Sequence, residues 1–264
     1  MGDCFENLGI YLEPLYKADA NTEVLASATG FLFGQHLISN WHVYSGKEVK
    51  NGMHVNSPCP IKLPTHISIP KRNGRETLLE INILPNTGTN WIECGDDTDV
   101  AAIPLSTTQY QLLQEEGWID VNSFSNAELP LITGEDVYIV GYPFGRRSSS
   151  DYVAPILKHG VIASNPRRPL YAGTDCFLVD ATTKQGMSGS PVVMIKNGMY
   201  TDVHGNMIWN GSQARCFVGI YSGRLVGGGE ILRNDQNDNT SANNILDTQS
   251  GIVWGRSILD RYLM

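Results

Sequence analysis

The stretch Gly186-Met187-Ser188-Gly189-Ser190-Pro191 decides the fold, and it lies between two strand-like apolar runs at 177–181 and 192–195. A serine hydroxyl attacks a carbonyl only when a base is nearby, and the resulting oxyanion needs fixed N–H donors. Glycines beside Ser188 allow a tight turn that exposes the hydroxyl and lets the N–H groups of Gly186 and Ser188 converge. The stretch therefore predicts a nucleophilic serine with an oxyanion hole, although an ordinary Gly-Ser turn would have a similar local sequence.

A histidine and an aspartate occur in settings that suit the partners of such a serine. His42 lies near the end of the apolar run Leu37-Ile38-Ser39-Asn40-Trp41-His42-Val43. A lone histidine in such a run is often only a core residue. Asp99 directly precedes the small apolar strand 100–105, whereas Asp96 and Asp97 belong to an acidic run typical of solvated turns. We predict that His42 is the general base and that Asp99 orients its imidazole.

The order of these three residues along the chain separates the folds that use such a triad. α/β-Hydrolases have the order Ser, Asp, His with a Gly-x-Ser-x-Gly turn, and subtilisins have the order Asp, His, Ser. Here the order is His42, Asp99, Ser188, and Ser190 stands where the hydrolase turn needs a glycine. Of the three orders, only that of chymotrypsin fits.

Composition excludes several other classes of protein. The chain has 264 residues, 41% of them hydrophobic and 27 of them glycine, so it can bury a sizeable core in one or two domains. Its formal net charge of −8 argues against binding of nucleic acid or of an anionic membrane. Polar side chains interrupt the uncharged stretch 24–46, so we predict no membrane span.

The termini and the metal-binding residue types favour a cytoplasmic protein without a cofactor. The first residues are acidic where a secretory signal needs lysine or arginine, which predicts a cytoplasmic location. The five cysteines are odd in number and contain no Cys-x-x-Cys pair, so we expect reduced packing residues. The six histidines are scattered and no phosphate loop is present, so we expect no metal and no cofactor.

Short runs of β-branched and aromatic residues, separated by turn residues, predict an all-β protein. The predicted strands are Val24–Phe33, His36–Val43, Leu78–Leu84, Val100–Leu105, Val137–Tyr142, Val153–Ala163, Cys176–Ala181, Pro191–Ile195 and Cys216–Ser222. Helices are predicted only at Thr107–Glu116 and at the C-terminal Arg256–Leu263. The turn-rich stretch Asp120–Glu128 is the predicted linker between two halves, and Asn234–Asn244 is predicted to be an exposed polar loop.

Several segments resemble those of trypsin-like, chymotrypsin-fold serine peptidases, most closely the bacterial, HtrA-like branch. They are TGFLFG, LISNWHV, TDVAAIPL, VGYPFG, HGVIAS, VDATTKQGMSGSPVV and VGIYSGR, spread from about residue 28 to 224. The resemblance implies two antiparallel six-stranded β-barrels with the active site between them. An N-terminal barrel at 1–125 would carry His42 and Asp99, and a C-terminal barrel at 126–264 would carry Ser188 and the substrate pocket.

Two positions depart from the secreted members of this family. Met187 stands where those enzymes have an aspartate that pairs with a newly cut N-terminus, so we expect activity without N-terminal processing. Thr182 stands where trypsin has the aspartate that selects basic side chains, so a preference for Lys or Arg is not supported. The substrate pocket is expected between 182–185 and 220–224, where Arg224 and Lys184 are more typical of solvated loop charges. Its predicted substrate-binding residues are Thr182, Gln185, Tyr221 and Gly223.

The resemblance implies a serine endopeptidase that cleaves protein or peptide substrates through an acyl-enzyme. Two alternatives stay open: a catalytically silent binding or scaffold module on the same fold, and an esterase of another fold. An unrestricted protease would harm a cytoplasm, so we expect restricted specificity or control by an activator. Because the sequence contains no PDZ-like module after Arg224, a regulatory protein would be a separate polypeptide.

Overall fold

A computed structural model describes residues 4–18, 21–55, 62–84, 88–96, 98–145, 152–171, 174–209, 213–226 and 247–264. The polar stretch Asn234–Asn244, predicted to be a loop, lies outside these residues, as do Asp97 and Cys59. Within the described ranges the chain is mostly β, as its sequence predicts, and it forms two sheet systems that meet at a shared core.

The N-terminal half forms an antiparallel sheet of eight strands. Its order is β8-β7-β1-β3-β4-β10-β9, and β2 pairs with β1 beside this path. The strands of this half, including the small hairpin β5-β6, are β1 Ile10–Ala18, β2 Asn21–Val24, β3 Ala28–Phe33, β4 His36–Ser39, β5 Val49–Lys50, β6 Met53–His54, β7 His66–Pro70, β8 Thr77–Asn82, β9 Ile92–Glu93 and β10 Ala101–Pro104.

The C-terminal half forms a closed antiparallel barrel of six strands in the order β11-β12-β13-β18-β17-β14. A separate hairpin, β15-β16, extends from it. The strands of this half are β11 Asp136–Gly141, β12 Ile156–Ile162, β13 Cys176–Asp180, β14 Pro191–Lys196, β15 Met199–Thr201, β16 Met207–Trp209, β17 Ala214–Val226 and β18 Asp247–Gly255.

The prediction of two six-stranded barrels is therefore confirmed only for the C-terminal half. In the N-terminal half, no pairing among the described residues joins the edge strands β8 and β9. The edge strand β9 has only two residues, both exposed, and so offers few backbone groups for closing the sheet. In the part of the chain that the structure describes, the N-terminal half is thus an eight-stranded sheet without closure over its own core.

Four short α-helices connect and flank the sheets: α1 Trp41–Ser45, α2 Thr107–Glu115, α3 Val121–Phe124 and α4 Ser257–Leu263. The sequence predicts α2 and α4, and Ser106 begins α2 with a reciprocal capping box to Gln109. The predicted linker Asp120–Glu128 instead contains α3, because Val121 and Phe124 are buried in the shared core. Burial of these two apolar side chains favours a packed turn of helix over an exposed connection.

One large apolar cluster joins the halves. The inward residues of β3 alternate, so that Phe31 and Phe33 face this shared cluster while Leu32 faces the N-terminal core. From the other half, Phe217 packs on Phe31 with ring centroids 5.2 Å apart. The cleft described below is therefore built on a continuous hydrophobic core.

Cys94, Cys176 and Cys216 are free thiols, as the sequence predicts. Cys94 and Cys176 are buried in the shared core, and burial raises the pKa of each to about 12. At neutral pH both therefore stay protonated, which makes them packing residues and not nucleophiles. No helix in the described ranges is long and apolar enough to cross a membrane.

Candidate active site

His42 lies on α1, immediately after β4. The sequence predicts a strand through Val43, but the strand ends at Ser39 and one short helix follows. The helix ends at Gly46, whose φ is +68° and whose N–H donates to the His42 carbonyl over 3.0 Å. A side chain at Gly46 would place Cβ 2.5 Å from Cδ of Pro64, so only glycine fits this C-terminal cap. The short helix that carries His42 is thereby held directly after a buried strand.

Asp99 lies beside His42 because of the pairing between β4 and β10. Ala101 pairs with Ser39, which brings the start of β10 next to the start of α1. Asn40 Nδ2 donates to the Asp99 carbonyl over 2.7 Å, and the His42 N–H donates to Asp99 Oδ1 over 3.0 Å. The Asp99 carboxylate is fully buried, and it also accepts a 2.5 Å hydrogen bond from Ser222 Oγ on β17.

The imidazole of His42 is bound to this carboxylate through one nitrogen. Nδ1 lies 2.9 Å from Oδ2 and 3.0 Å from Oδ1 of Asp99. A carboxylate only accepts, so Nδ1 carries the proton and Nε2 keeps its lone pair when the ring is neutral. Burial lowers the pKa of His42, but the negative charge of Asp99 and the hydrogen bond to it outweigh burial, and the pKa is raised above its ordinary value.

Ser188 lies in the turn between β13 and β14, as the sequence predicts. Gly186 and Gly189 have φ values of +92° and +82°, which L-amino acids with side chains rarely adopt. At Gly189 the available space is also decisive, because a Cβ would lie 2.2 Å from both Ser39 Oγ and the Thr29 carbonyl oxygen. The glycines thus give the turn its shape and let it approach the N-terminal sheet.

Thr29 on β3 joins the Ser188 turn to the N-terminal half. Its N–H donates to the Ser188 carbonyl over 3.0 Å, and its hydroxyl donates to the Gly186 carbonyl over 2.8 Å. The same hydroxyl accepts from the Tyr142 N–H over 3.2 Å, and Ser39 Oγ donates to the Thr29 carbonyl over 2.7 Å. The N–H and the hydroxyl of Thr29 therefore hold the Ser188 turn, and the Ser39 hydroxyl holds Thr29 itself.

The backbone N–H groups of Gly186 and Ser188 are available for an oxyanion. Neither donates to an acceptor within the described residues. The Gln185 carbonyl accepts from the Phe144 N–H over 2.5 Å. Because the C=O and N–H of a trans peptide point in opposite directions, this bond turns the Gly186 N–H away from the 142–145 turn. Phe144 itself has a φ of +55°, unusual for a residue with a side chain.

His42, Gly186 and Ser188 all line one cavity of about 1260 Å³ between the two halves. Its other lining residues include Gln185 and Gly223. The structure thus brings His42 and Ser188 to one cleft, and among the described residues no hydrogen bond joins their side chains. Such bonds are often long in free enzymes and tighten in the substrate complex.

Comparison with known proteins then identifies the family. A family model described as a trypsin-like peptidase domain matches residues 28–199, which is more than half of the chain. The chain belongs to the trypsin-like peptidase family. The match covers β3 through the Ser188 turn, so it includes His42, Asp99 and Ser188.

Among solved structures, this trypsin-like peptidase is similar to the Rv3671c protease of M. tuberculosis. The active form has 15% identity and a TM-score of 0.49, and the similarity covers 98% of this chain and 80% of that chain. The inactive form has 15% identity and a TM-score of 0.47, with 98% and 88% of the two chains covered. A search of curated proteins finds no match.

The predicted substrate-binding residues of the peptidase are not all in the cleft. Gln185 and Gly223 line the cavity, and a side chain at Gly223 would meet nothing within 4 Å. Thr182 is exposed at the surface, and Tyr221 is buried with 2% exposure; neither is among the lining residues. Arg224 and Lys184 are exposed, and only Arg224 lines the cavity.

Three positioning residues are not predicted from the sequence. Ser222 binds the Asp99 carboxylate, Asn40 binds the Asp99 carbonyl, and Thr29 binds the Ser188 turn. Each lies within a segment that carries the family resemblance, but its partner is 59 or more residues away. No group of three or more His, Cys, Asp or Glu in the described ranges could hold a metal ion.

Proposed function

We propose that the chain is a serine endopeptidase that cleaves protein or peptide substrates through a triad of His42, Asp99 and Ser188. The observation that carries the proposal is the orientation of His42. Its Nδ1 is held by the buried Asp99, which leaves Nε2 as the basic nitrogen in the cavity that Ser188 also lines. Membership of the trypsin-like peptidase family supports the same chemistry.

In the proposed reaction, His42 Nε2 takes the proton of Ser188 Oγ as this oxygen forms a bond to the substrate carbonyl carbon. The carbonyl π electrons move to oxygen, and the N–H groups of Gly186 and Ser188 stabilise the oxyanion. When the oxyanion collapses, the C–N bond breaks and His42 gives its proton to the leaving amine. Water then attacks the acyl-enzyme by the same steps and releases the acid and free Ser188.

The oxyanion hole is proposed to form without cleavage of the N-terminus. Met187 is fully buried in the apolar core of the C-terminal barrel, so this position needs no cationic partner. The bond from Phe144 N–H to the Gln185 carbonyl orients the Gly186 N–H instead. An active preparation should therefore have the intact mass of the uncut chain. An obligatory cut near residue 20–25 would contradict this part of the proposal.

The experiment that tests the endopeptidase is labelling by a fluorophosphonate probe together with peptide hydrolysis. We expect the probe to label Ser188, and Ser188→Ala to lose both labelling and hydrolysis while its circular dichroism is unchanged. Ser190→Ala is the matched control, because Ser190 Oγ is buried and has no hydrogen-bond partner among the described residues, so it can be removed at little cost. Retained hydrolysis by Ser188→Ala would refute the triad, and no labelling of a folded protein would favour the silent scaffold.

We also propose a cytoplasmic location and control by a separate regulatory protein, because unrestricted proteolysis would harm a cytoplasm. The isolated chain should cleave casein at fewer sites or more slowly than the chain in a lysate cleaves its own targets. Equal, unrestricted proteolysis in both would argue against such control.

A further inference from the structure

The two segments expected to form the walls of the pocket for the substrate side chain before the cut are in contact with each other. The sequence predicts this pocket between 182–185 and 220–224. The structure shows that Tyr221, from the second segment, reaches across to the first and shares a hydrogen bond with Thr183 Oγ1. Both side chains are buried, with 2% and 1% exposure. The two expected pocket walls are therefore in contact through a tyrosine ring.

Tyr221 is held directly behind the nucleophile. Its N–H donates to the Ser190 carbonyl, and its carbonyl accepts from the Gly189 N–H, each over 2.9 Å. From the opposite side, Gly251 on β18 lies against the ring, since a Cβ there would be 2.3 Å from Tyr221 Cε2. The backbone is thus fixed at the Ser188 turn while the ring fills the room that Gly251 leaves.

The surroundings of the ring are apolar and continuous with the barrel core. Tyr221 belongs to one buried cluster with Ala181, Met187 and Val253. The cavity that contains His42 and Ser188 is lined by Gln185, Gly186 and Gly223, and by neither Thr183 nor Tyr221. The contact between Tyr221 and Thr183 therefore lies in the barrel core and not in the lining of this cavity.

We infer that Tyr221 closes the primary specificity pocket, so that the enzyme cuts after residues with small side chains such as glycine, alanine and serine. This inference rests on the proposed endopeptidase function. A long aliphatic or aromatic side chain would have to displace a packed ring, and overpacking of a filled site is unfavourable. A lysine or arginine side chain would in addition lose water against an apolar cluster without gaining a carboxylate partner, since Thr182 is uncharged and exposed.

The experiment compares peptides that differ only in the residue before the cut, with alanine, leucine, phenylalanine, lysine or glutamate at that position. The folded enzyme is first titrated with a fluorophosphonate, so that the concentration of reactive Ser188 is known. We expect kcat/KM for the alanine peptide to exceed that for every other peptide by more than about tenfold, the discrimination that a hydrophobic pocket achieves for small size differences. Equal or faster cleavage of the leucine, phenylalanine or lysine peptide by titrated enzyme would overturn the inference and leave the endopeptidase intact. Absence of both titration and cleavage would overturn the endopeptidase and the inference with it.

Variants at Tyr221 test the cause of the preference. Tyr221→Ala should open the pocket and raise the ratio of leucine to alanine cleavage by about tenfold or more. Tyr221→Phe is the matched control, because it loses the hydroxyl that bonds to Thr183 but keeps the ring, and it should keep the preference for alanine. Should the large cavity in Tyr221→Ala prevent folding, Tyr221→Leu opens a smaller space and should shift the ratio in the same direction. A folded Tyr221→Leu or Tyr221→Ala enzyme with an unchanged ratio would exclude Tyr221 as the residue that sets it.

Discussion

At the scale of single residues, Asp99 controls the proton chemistry that we propose for the cleft. Its carboxylate is fully buried and accepts hydrogen bonds from the backbone and ring of His42 and from the Ser222 hydroxyl. Charge on Asp99 stabilises the imidazolium, and its position fixes the ring so that Nε2 faces the cavity. Two effects of its removal can therefore be separated, one on the rate and one on the pH dependence.

Asp99→Asn should lower kcat by the order of 10⁴-fold, because the amide can hold the wrong tautomer of His42. It should also move the acid limb of kcat/KM to lower pH. In the native enzyme Asp99 raises the pKa of His42, so we expect activity to be lost on acidification at a higher pH than for an ordinary histidine. Without the charge, burial lowers that pKa. Rate profiles against pH measure both effects.

The exposed Asp96 supplies the control for this prediction. Asp96→Asn removes one negative charge from the same loop and should leave both the rate and the acid limb close to those of the native enzyme. A similar shift in both variants would mean that the general field of the loop, and not Asp99, sets the pKa of His42.

Gly189→Ala should destabilise the fold and lower activity, because the backbone conformation at this position disfavours alanine and there is no room for its Cβ. Its φ is +82°, and a Cβ would lie 2.2 Å from the Thr29 carbonyl oxygen, a backbone atom that cannot rotate away. We expect a loss of about 3 kcal/mol or more in the free energy of unfolding.

Gly205→Ala isolates the conformational part of this cost. Gly205 has a φ of +83°, but a Cβ there would meet nothing within 4 Å. Gly205→Ala should lower the free energy of unfolding by about 1 kcal/mol, which for a chain of this size lowers Tm by about 2–4 °C. Equal thermal shifts in the two variants would show that the approach of Gly189 to Thr29 does not matter for stability.

At the scale of secondary structure, strand β3 acts as the support for the Ser188 turn. Thr29 is part of a strand that is buried along its whole length, and its hydroxyl connects the Gly186 carbonyl to the Tyr142 N–H. The turn therefore depends on an element of the other half of the molecule for its position. A change in this strand should affect catalysis without any contact to the substrate.

Thr29→Val keeps the shape of the side chain but removes the hydroxyl that donates to the Gly186 carbonyl and accepts from the Tyr142 N–H. We expect kcat to fall by about tenfold or more with little change in KM, since a displacement of 1 Å in an active site can cost roughly 100-fold in rate. Thr29→Ser retains the hydroxyl and should restore most of the rate. The fluorophosphonate labelling rate should follow the same order, and equal rates in all three enzymes would rule out this positioning role.

Element boundaries show what local sequence could and could not predict. The capping box at Ser106 and the glycines around Ser188 act through neighbouring residues, so α2 and the Ser188 turn are predicted correctly. By contrast, β4 gives way to α1 before His42, and the stretch predicted as a linker contains the short helix α3. Strand β18, which closes the C-terminal barrel, is absent from the predicted strands, because its pairing with β13 and β17 involves distant parts of the chain.

At the scale of the whole molecule, the charge of the cleft is opposite to that of the chain. The protein has a formal net charge of −8, yet Lys47, Lys50, Lys62 and Arg224 line the cavity, with Glu48 as the one carboxylate among the described lining residues. A concave site of one sign attracts substrates of the other sign. Acidic residues two or more positions from the cut should therefore favour binding.

We compare two peptides with alanine before the cut, one with glutamates two or more positions from the cut and one neutral. We expect the acidic peptide to have the higher kcat/KM, and the difference to shrink between about 0.05 and 0.3 M salt as screening increases. A Lys47→Gln and Lys50→Gln double variant should reduce the difference at low salt several-fold. Lys158 lies on β12 and outside the cavity lining, so Lys158→Gln is the control and should not reduce this difference. A salt-independent difference would contradict an electrostatic origin.

The sequence by itself determined the class of fold, the order of the triad and the residues proposed for it. These depend on local signals, namely glycines that permit a turn, an acid before a short strand and the order of three motifs. Only the tertiary structure decided that the described strands of the N-terminal sheet do not close, that Ser222, Asn40 and Thr29 bind residues of the site, and that Tyr221 contacts Thr183. Each of these depends on contacts between residues far apart in the chain, and side-chain packing at such contacts leaves no pattern in the local sequence.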